Sequence, residues 1–271
     1  MDNTEKVTLY EAIDTFRVFC GMVLLSFAQY GHDQRETTSR NFVARGMSCL
    51  QSIFSVWEIG NEQDAWILSR SLIDRLLHLH YLAETDSFID FDNYSFMSMF
   101  KAREKTISNS LMNNKISQEM KDLHKSEKPK FDYLQKNQRG WYRPRPREVA
   151  KQMELNIVYD MYDYASMHVH PISNDGVDDF EKLIGKPGDH LPDSIVVRNS
   201  IIIQSLLVQE ALNVSKMKWR AIVYDFLNQI RTFAGNGDAQ YLTTMYKLGK
   251  AWPEFNLCEV SIPESRTTPL S

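Results

Sequence analysis

A chain of 271 residues can bury a large core, and 43% apolar with 24% charged residues is the balance of a soluble globular protein. A formal net charge of -4 argues against a globally basic nucleic-acid binder and leaves room only for a local basic patch. Cys20, Cys49 and Cys258 lie far apart with no CxxC, which suits thiols in a reducing compartment. With no leader-like N-terminus and no apolar run of bilayer length, the expectation is a cytoplasmic protein that makes no membrane contact.

Glycine and proline are sparse before Pro129, and apolar residues recur at three and four positions, so the front half reads as helices. The first is expected over Leu9 to Tyr30, burying Phe16, Phe19, Val23 and Phe27, with Gly31, His32 and Asp33 ending it. A second covers Ser39 to Gly60, with Phe42, Cys49, Ile53 and Val56 on its buried side. Asn61 suits the N-cap of a third, Glu62 to Glu84, because its amide oxygen can accept a free N–H of the first turn. A fourth, Phe88 to Asn113, begins aromatic and ends polar. Lys115 to Lys130 is strongly charged and reads as a solvated helix or mobile hairpin within a charged insertion, 113–147.

Next, Arg139, Arg143, Arg145 and Arg147 interleave with Trp141, Tyr142, Pro144 and Pro146. Alternate prolines favour extended backbone, and arginines beside aromatics can hold phosphates and stack on bases. They can equally pin a loop to an acidic surface. Helix resumes at Glu148 and runs to Pro171. A glycine-, proline- and aspartate-rich loop is expected over 172–192, then one long helix, Ser194 to Phe233. Its core candidates are Ile195, Ile202, Leu206, Leu212, Trp219, Ile222, Phe226 and Ile230. Gly235, Asn236 and Gly237 stop it, a short helix follows over Ala239 to Leu248, and the tail from Pro253 reads as irregular. With no period-two strand and no repeat, the class is all-α: one bundle-like domain over 1–252 with a long C-terminal helix.

Two polar constellations interrupt the apolar pattern. Arg70 and Asp74 lie four apart on a helix whose neighbours are apolar nearly all round, so both are expected to be partly buried and paired. Tyr162, Ser166 and His170 follow one another at four-residue steps, and Pro171 leaves His170 at a helix rim. A Ser–His dyad needs an oxyanion hole and an orienting acid; neither is evident here, and no GxSxG elbow occurs. His170 as general base or polar ligand-binding group fits better than the dyad does, and the alternative is a helix-end residue favoured by the helix dipole. His168 with His170, and His78 with His80, stand two apart and so point away from each other on a helix. Asp74 with His78 is better spaced, but nothing completes a set, and neither a metal nor a cofactor is expected. Arg75 and His80 fit a loose R-x4–6-H pattern.

That pattern is similar to the motif of the HEPN ribonucleases, helical domains that usually act as dimers, although Leu76 stands where a polar residue is usual. More of the chain, about Phe42 to Pro171, resembles the DUF5677 family. The resemblance rests on Arg70-Ser-Leu-Ile-Asp74, on Leu79-His-Tyr-Leu82, and on Tyr162-x3-Ser166-x3-His170-Pro171. The family more often has Glu at the position of Asp74. The resemblance implies a helical domain in which these motifs meet, and it implies no activity.

The resulting expectation is a polar inter-helical site of Arg70, Asp74, Tyr162, Ser166 and His170. Its sharpest form is a metal-independent, HEPN-like ribonuclease of a phage-defence or toxin system. Arg70 or Arg75 would then stabilise phosphate charge and His170 or His80 would move the proton. Arg139, Arg143, Arg145 and Arg147 would hold RNA, and the long C-terminal helix would support a homodimer. The rival is a non-enzymatic helical protein in which the same residues lock two helices and the 139–147 segment meets a protein partner.

Overall fold

Asp33 and Asn61 set the start of two of the central helices. In the computed structural model the Asp33 carboxylate accepts the Glu36 N–H at 2.9 Å, and the Asn61 amide oxygen accepts the Asp64 N–H at 3.1 Å. The structure describes residues 3–30, 33–109, 115–137, 141–142, 144–169, 176–185 and 193–245. These form ten helices: α1 Asn3–Tyr30, α2 Gln34–Glu58, α3 Glu62–Thr85, α4 Phe88–Ser108, α5 Gln118–Asn137, α6 Pro146–Gln152, α7 Asn156–Met167, α8 Val177–Leu183, α9 Ile195–Val214 and α10 Arg220–Asn236. A further helical turn begins at 241–245, and no strand occurs among the described residues. The all-α reading stands.

The centre is a three-helix unit of α2, α3 and α9, each packed on the other two; α1 lies along α2 and α10 along α9. The predicted stripe of α1 (Phe16, Phe19, Val23, Phe27) is buried, and Phe19 stacks on Phe226 of α10 at 3.8 Å. Between α2 and α9 the backbones approach closely at Gly46. A methyl group there would lie 2.3 Å from Gln204 Oε1 and 2.7 Å from Leu207 Cδ2. The fully buried Gln204 spans this contact, its amide donating to the Val43 carbonyl at 3.2 Å. Ser200 Oγ donates to Ser69 Oγ at 3.1 Å across the α3–α9 contact.

Several boundaries differ from the sequence expectation. The segment read as one helix from Ser194 to Phe233 is two antiparallel helices, α9 and α10, broken at Ser215–Trp219. Arg198 reaches the Phe233 and Ala234 carbonyls, and Arg231 reaches Gln209. The break is tertiary in origin. The buried Glu36 of α2 accepts the Lys216 N–H at 3.1 Å, and Ser215 Oγ caps back onto the Leu212 carbonyl. No glycine or proline marks it. Ile195 is exposed, Ile202 and Leu206 are half-buried, and the buried faces run instead through Val197, Ile201, Gln204 and Val208. Because α9 is apolar nearly all round, periodicity cannot choose its buried side.

The helix expected from Glu148 to Pro171 is interrupted between α6 and α7, where Glu154 adopts a left-handed φ of 55°. The helix α4 stops at Ser108 rather than Asn113. The charged segment becomes α5, seated on α4 through Phe100, His124 and Phe131 and through an Arg103–Glu127 ion pair. The short α8 lies inside the expected 172–192 loop. The segment 110–114, much of that loop and the tail from Pro253 lie outside the described residues.

Two stability predictions follow from this packing. Gly46→Ala should cost about 1–3 kcal/mol through overpacking against Gln204 and Leu207. Urea melts that leave the midpoint unchanged would contradict the close approach. The second concerns Glu5, which is held below its ordinary 4.5 chiefly by the Ser194 hydroxyl and then by Arg198. A depressed folded-state value means the unfolded chain takes up the proton first. The stabilisation is therefore complete above the ordinary carboxylate range and is lost as pH falls through the lowered folded value. Glu5→Gln should flatten the decline of thermal stability in that acid window, and an unchanged profile would show that Glu5 plays no part in it.

Candidate functional site

The polar groups of α3 leave the helix in three directions. At about 100° per residue, Asp74, His78, Ser71 and Arg75 occupy one arc, Arg70 its edge, and His80 a direction about 140° from Arg75. The packing follows those angles. Arg70 Nη2 donates to Tyr162 Oη of α7 at 3.0 Å, and its guanidinium carbon stands 5.1 Å from the Tyr162 ring centroid. His80 is buried against α9, with Nδ1 3.3 Å from Glu210 Oε2. Ser71, Asp74, Arg75 and His78 line an open cleft of about 300 Å³, closed on its other sides by Phe42 of α2 and Phe91 of α4. That volume lies at the small end of ligand pockets.

Within the cleft, the half-buried Arg75 donates one nitrogen to Ser71 Oγ at 2.8 Å and to the Ser71 carbonyl. No carboxylate lies within ion-pair distance of Arg75 among the described residues. Arg45 stands three residues beyond Phe42 on the same side of α2. It is exposed and likewise has no carboxylate partner there. Cys49, one turn further, lies within the electrostatic reach of both arginines. Burial pushes its thiol up, and the charges of Arg75 and Arg45 pull it partly back. Arg75 and Arg45 thus form no ion pair with a described carboxylate, although Asp74 lines the same cleft as Arg75. His78 Nδ1 lies 2.6 Å from the Asp74 carbonyl oxygen. A carbonyl only accepts, so Nδ1 carries the proton and Nε2 is the basic nitrogen.

Of the five residues expected to form one site, the structure joins Arg70 to Tyr162. It places Asp74 in the neighbouring cleft, and no ion pair connects Arg70 with Asp74. Ser166 Oγ donates to the Tyr162 carbonyl of its own helix at 2.7 Å, the arrangement of a helix-surface serine rather than a nucleophile. His170 lies outside the described residues. Its neighbour His168 lies nearly parallel to the Trp66 ring at 6.3 Å. The R-x4–6-H pairing is corrected: Arg75 faces the α2–α4 cleft and His80 faces α9, because five residues turn a helix well past a shared face.

In the basic segment, Arg139 and Arg143 lie outside the described residues. Arg145 precedes α6 and pairs with Glu148 at 3.2 Å in solvent, while the Arg147 guanidinium carbon is 5.9 Å from the Tyr159 ring centroid. The anchor of the segment is Trp141. It is buried among Phe91 at 5.1 Å, Tyr94 at 5.0 Å, His78 at 6.2 Å and Tyr81 at 6.3 Å. Ser71 and Arg45 were missed by sequence reasoning. The i, i+3, i+4, i+7 run of Ser71, Asp74, Arg75 and His78 on an otherwise apolar helix is the signal that finds the cleft.

A family model described as a family of unknown function, DUF5677, matches residues 38–186. The match spans most of α2 through α8, so it contains both the cleft and the Arg70–Tyr162 contact. No curated protein and no solved structure matches the chain, and the HEPN-like resemblance gains no support from these comparisons.

The Arg70–Tyr162 bond should behave as a hydrogen bond to a charged group. Tyr162→Phe is expected to lower unfolding stability by about 1.5–3 kcal/mol, and Ser166→Ala to change it far less. Equal effects from the two substitutions in parallel denaturant melts would refute this ranking.

Proposed function

The chain belongs to the DUF5677 family, whose description carries no activity, and we propose from the geometry that its α2–α3–α4 cleft binds a phosphate-bearing ligand. The observation that carries this reading is Arg75, half-buried at the cleft wall and in no ion pair with a described carboxylate, although Asp74 lines the same cleft. A half-buried guanidinium outside an ion pair can take an anion, and its planar fork suits phosphate oxygens.

The cleft also holds the groups for proton transfer. His78 has its tautomer fixed by the Asp74 carbonyl, so Nε2 is the atom that would accept a proton. With RNA as substrate, a ribose 2′-hydroxyl would lose its proton to Nε2 as its oxygen attacks phosphorus. The P–O5′ bond would break, the imidazolium would return the proton to the leaving O5′, and Arg75 would stabilise the charge on the phosphoryl oxygens. In this form the ribonuclease reading uses Arg75 and His78, not Arg75 and His80. Arg70 and Tyr162 act in this account as an inter-helical clamp that fixes α3 against α7.

The test separates binding from chemistry. Arg75→Ala should weaken inorganic phosphate binding by at least tenfold in calorimetric titration. His78→Ala should retain phosphate binding and lose cleavage of a labelled oligoribonucleotide. Phosphate binding that survives Arg75→Ala would remove the proposal. Cleavage that survives His78→Ala would remove the assigned base, and absence of cleavage by wild type would reduce the site to binding alone.

A further inference from the structure

A phosphate group alone does not fill the cleft that holds Arg75. The cleft measures about 300 Å³, the lower end of the range that takes a drug-sized ligand. A ligand that occupies it carries a further body, and the lining describes that body. Arg75 Nη1 is anchored on the Ser71 carbonyl and hydroxyl. Its Nε and Nη2 share the other edge of the guanidinium and have no hydrogen-bond partner among the described residues. Two parallel donors on one edge match two oxygens of one phosphate. Ser71 Oγ accepts from Arg75, so its own hydrogen is left for an oxygen of the ligand.

The facing wall is aromatic. Phe42 and Phe91 are both partly buried, and their rings stand at 88° with centroids 5.8 Å apart. Perpendicular rings form a corner, in which a flat ring laid on one face meets the other edge-on, and both arrangements are favourable. Asp74 lines the same cleft. Its carboxylate accepts N–H donors and disfavours a second anion beside it.

We infer that this one cleft takes a nucleotide unit, its phosphate on Nε and Nη2 of Arg75 and its base in the Phe42–Phe91 corner. The inference deepens the phosphate reading and rests on it. A sugar phosphate has the bulk but no flat face for the corner. A phosphorylated tyrosine has the face but no ring N–H for Asp74. A nucleobase has both, and stacking on an aromatic ring accepts any base. Free nucleotides and the units of single-stranded RNA share this chemistry. Phe42 and Phe91 are then the residues that select a nucleotide over other phosphates.

The experiment titrates the full-length chain with inorganic phosphate, ribose phosphate, phenyl phosphate, AMP and tetraadenylate. Wild type is compared with Phe42→Leu, Phe91→Leu and Arg75→Ala, and circular dichroism melts establish which variants fold. Leucine keeps an apolar side chain in the wall and removes only the ring. Wild type is expected to bind AMP more tightly than the other three small phosphates. Either phenylalanine variant should weaken AMP by about five- to hundredfold, the range of one lost stacking contact, with inorganic phosphate unchanged. Arg75→Ala should weaken every ligand. Tetraadenylate that binds tighter than AMP identifies RNA as the source of the nucleotide, and equal affinities identify free nucleotides. AMP that binds no better than ribose phosphate, a comparison that needs no variant, overturns the base assignment and leaves the phosphate site standing. AMP affinity unchanged in a folded phenylalanine variant has the same consequence. Phenyl phosphate that matches AMP overturns the nucleotide in favour of phosphorylated tyrosine. No binding of any of these phosphates removes the phosphate reading and this inference together.

Discussion

A helix walled in by α2, α7 and α9 can carry charge only along the seams between its neighbours, and α3 is such a helix. Desolvating an unpaired charge in a closed contact is far too costly for a marginally stable fold. Each polar group of α3 must therefore meet a specific partner or open onto a cleft. Arg70 meets Tyr162 on α7, and His80 meets Glu210 on α9. Ser71, Asp74, Arg75 and His78 open toward the gap between α2 and α4. The candidate site is the seam that opens into a cleft.

What holds that seam open is the packing behind it. The α2–α9 approach at Gly46 and the Ser69–Ser200 contact bring the three central backbones close by using small residues. Glu36 then ties the turn after α9 to the start of α2. With α2 and α3 fixed in this way, Arg45 and Arg75 both act on the Cys49 thiol, whose pKa their charges lower against burial. On the other flank, Trp141 carries the chain from the α4–α5 hairpin back to α6 and fills the space between α3 and α4. A segment that reads as a row of arginines is thus anchored by its tryptophan.

Much of this was legible in the sequence, and the gaps have physical reasons. The class, the first four helices and the Asn61 cap follow from periodicity and capping chemistry, which are local. The family resemblance drawn from Arg70-Ser-Leu-Ile-Asp74 and Tyr162-x3-Ser166 is borne out by the family match, and Arg70 and Tyr162 do touch. The split of the long C-terminal helix was not legible, because the group that ends α9 is the carboxylate of Glu36, far away in sequence. The grouping of Asp74 with Arg70 followed four-residue spacing. That spacing permits an ion pair without requiring one, and packing on α7 gave Arg70 a different partner. Arg45 gave no signal of its own, since an exposed arginine on a helix is ordinary until its neighbours are known.

The central claim is that Arg75, with Arg45 and His78, forms an anion-binding centre at the α2–α3–α4 seam. Its most direct test is a nuclear magnetic resonance titration of the full-length protein with inorganic phosphate, following arginine side-chain N–H groups and histidine ring nitrogens. The account predicts saturable shifts at Arg75 and His78 that are shared by Arg45, with Arg70 and His80 unmoved in their own seams. Shifts spread evenly over surface lysines and arginines, with none saturating at Arg75, would contradict it.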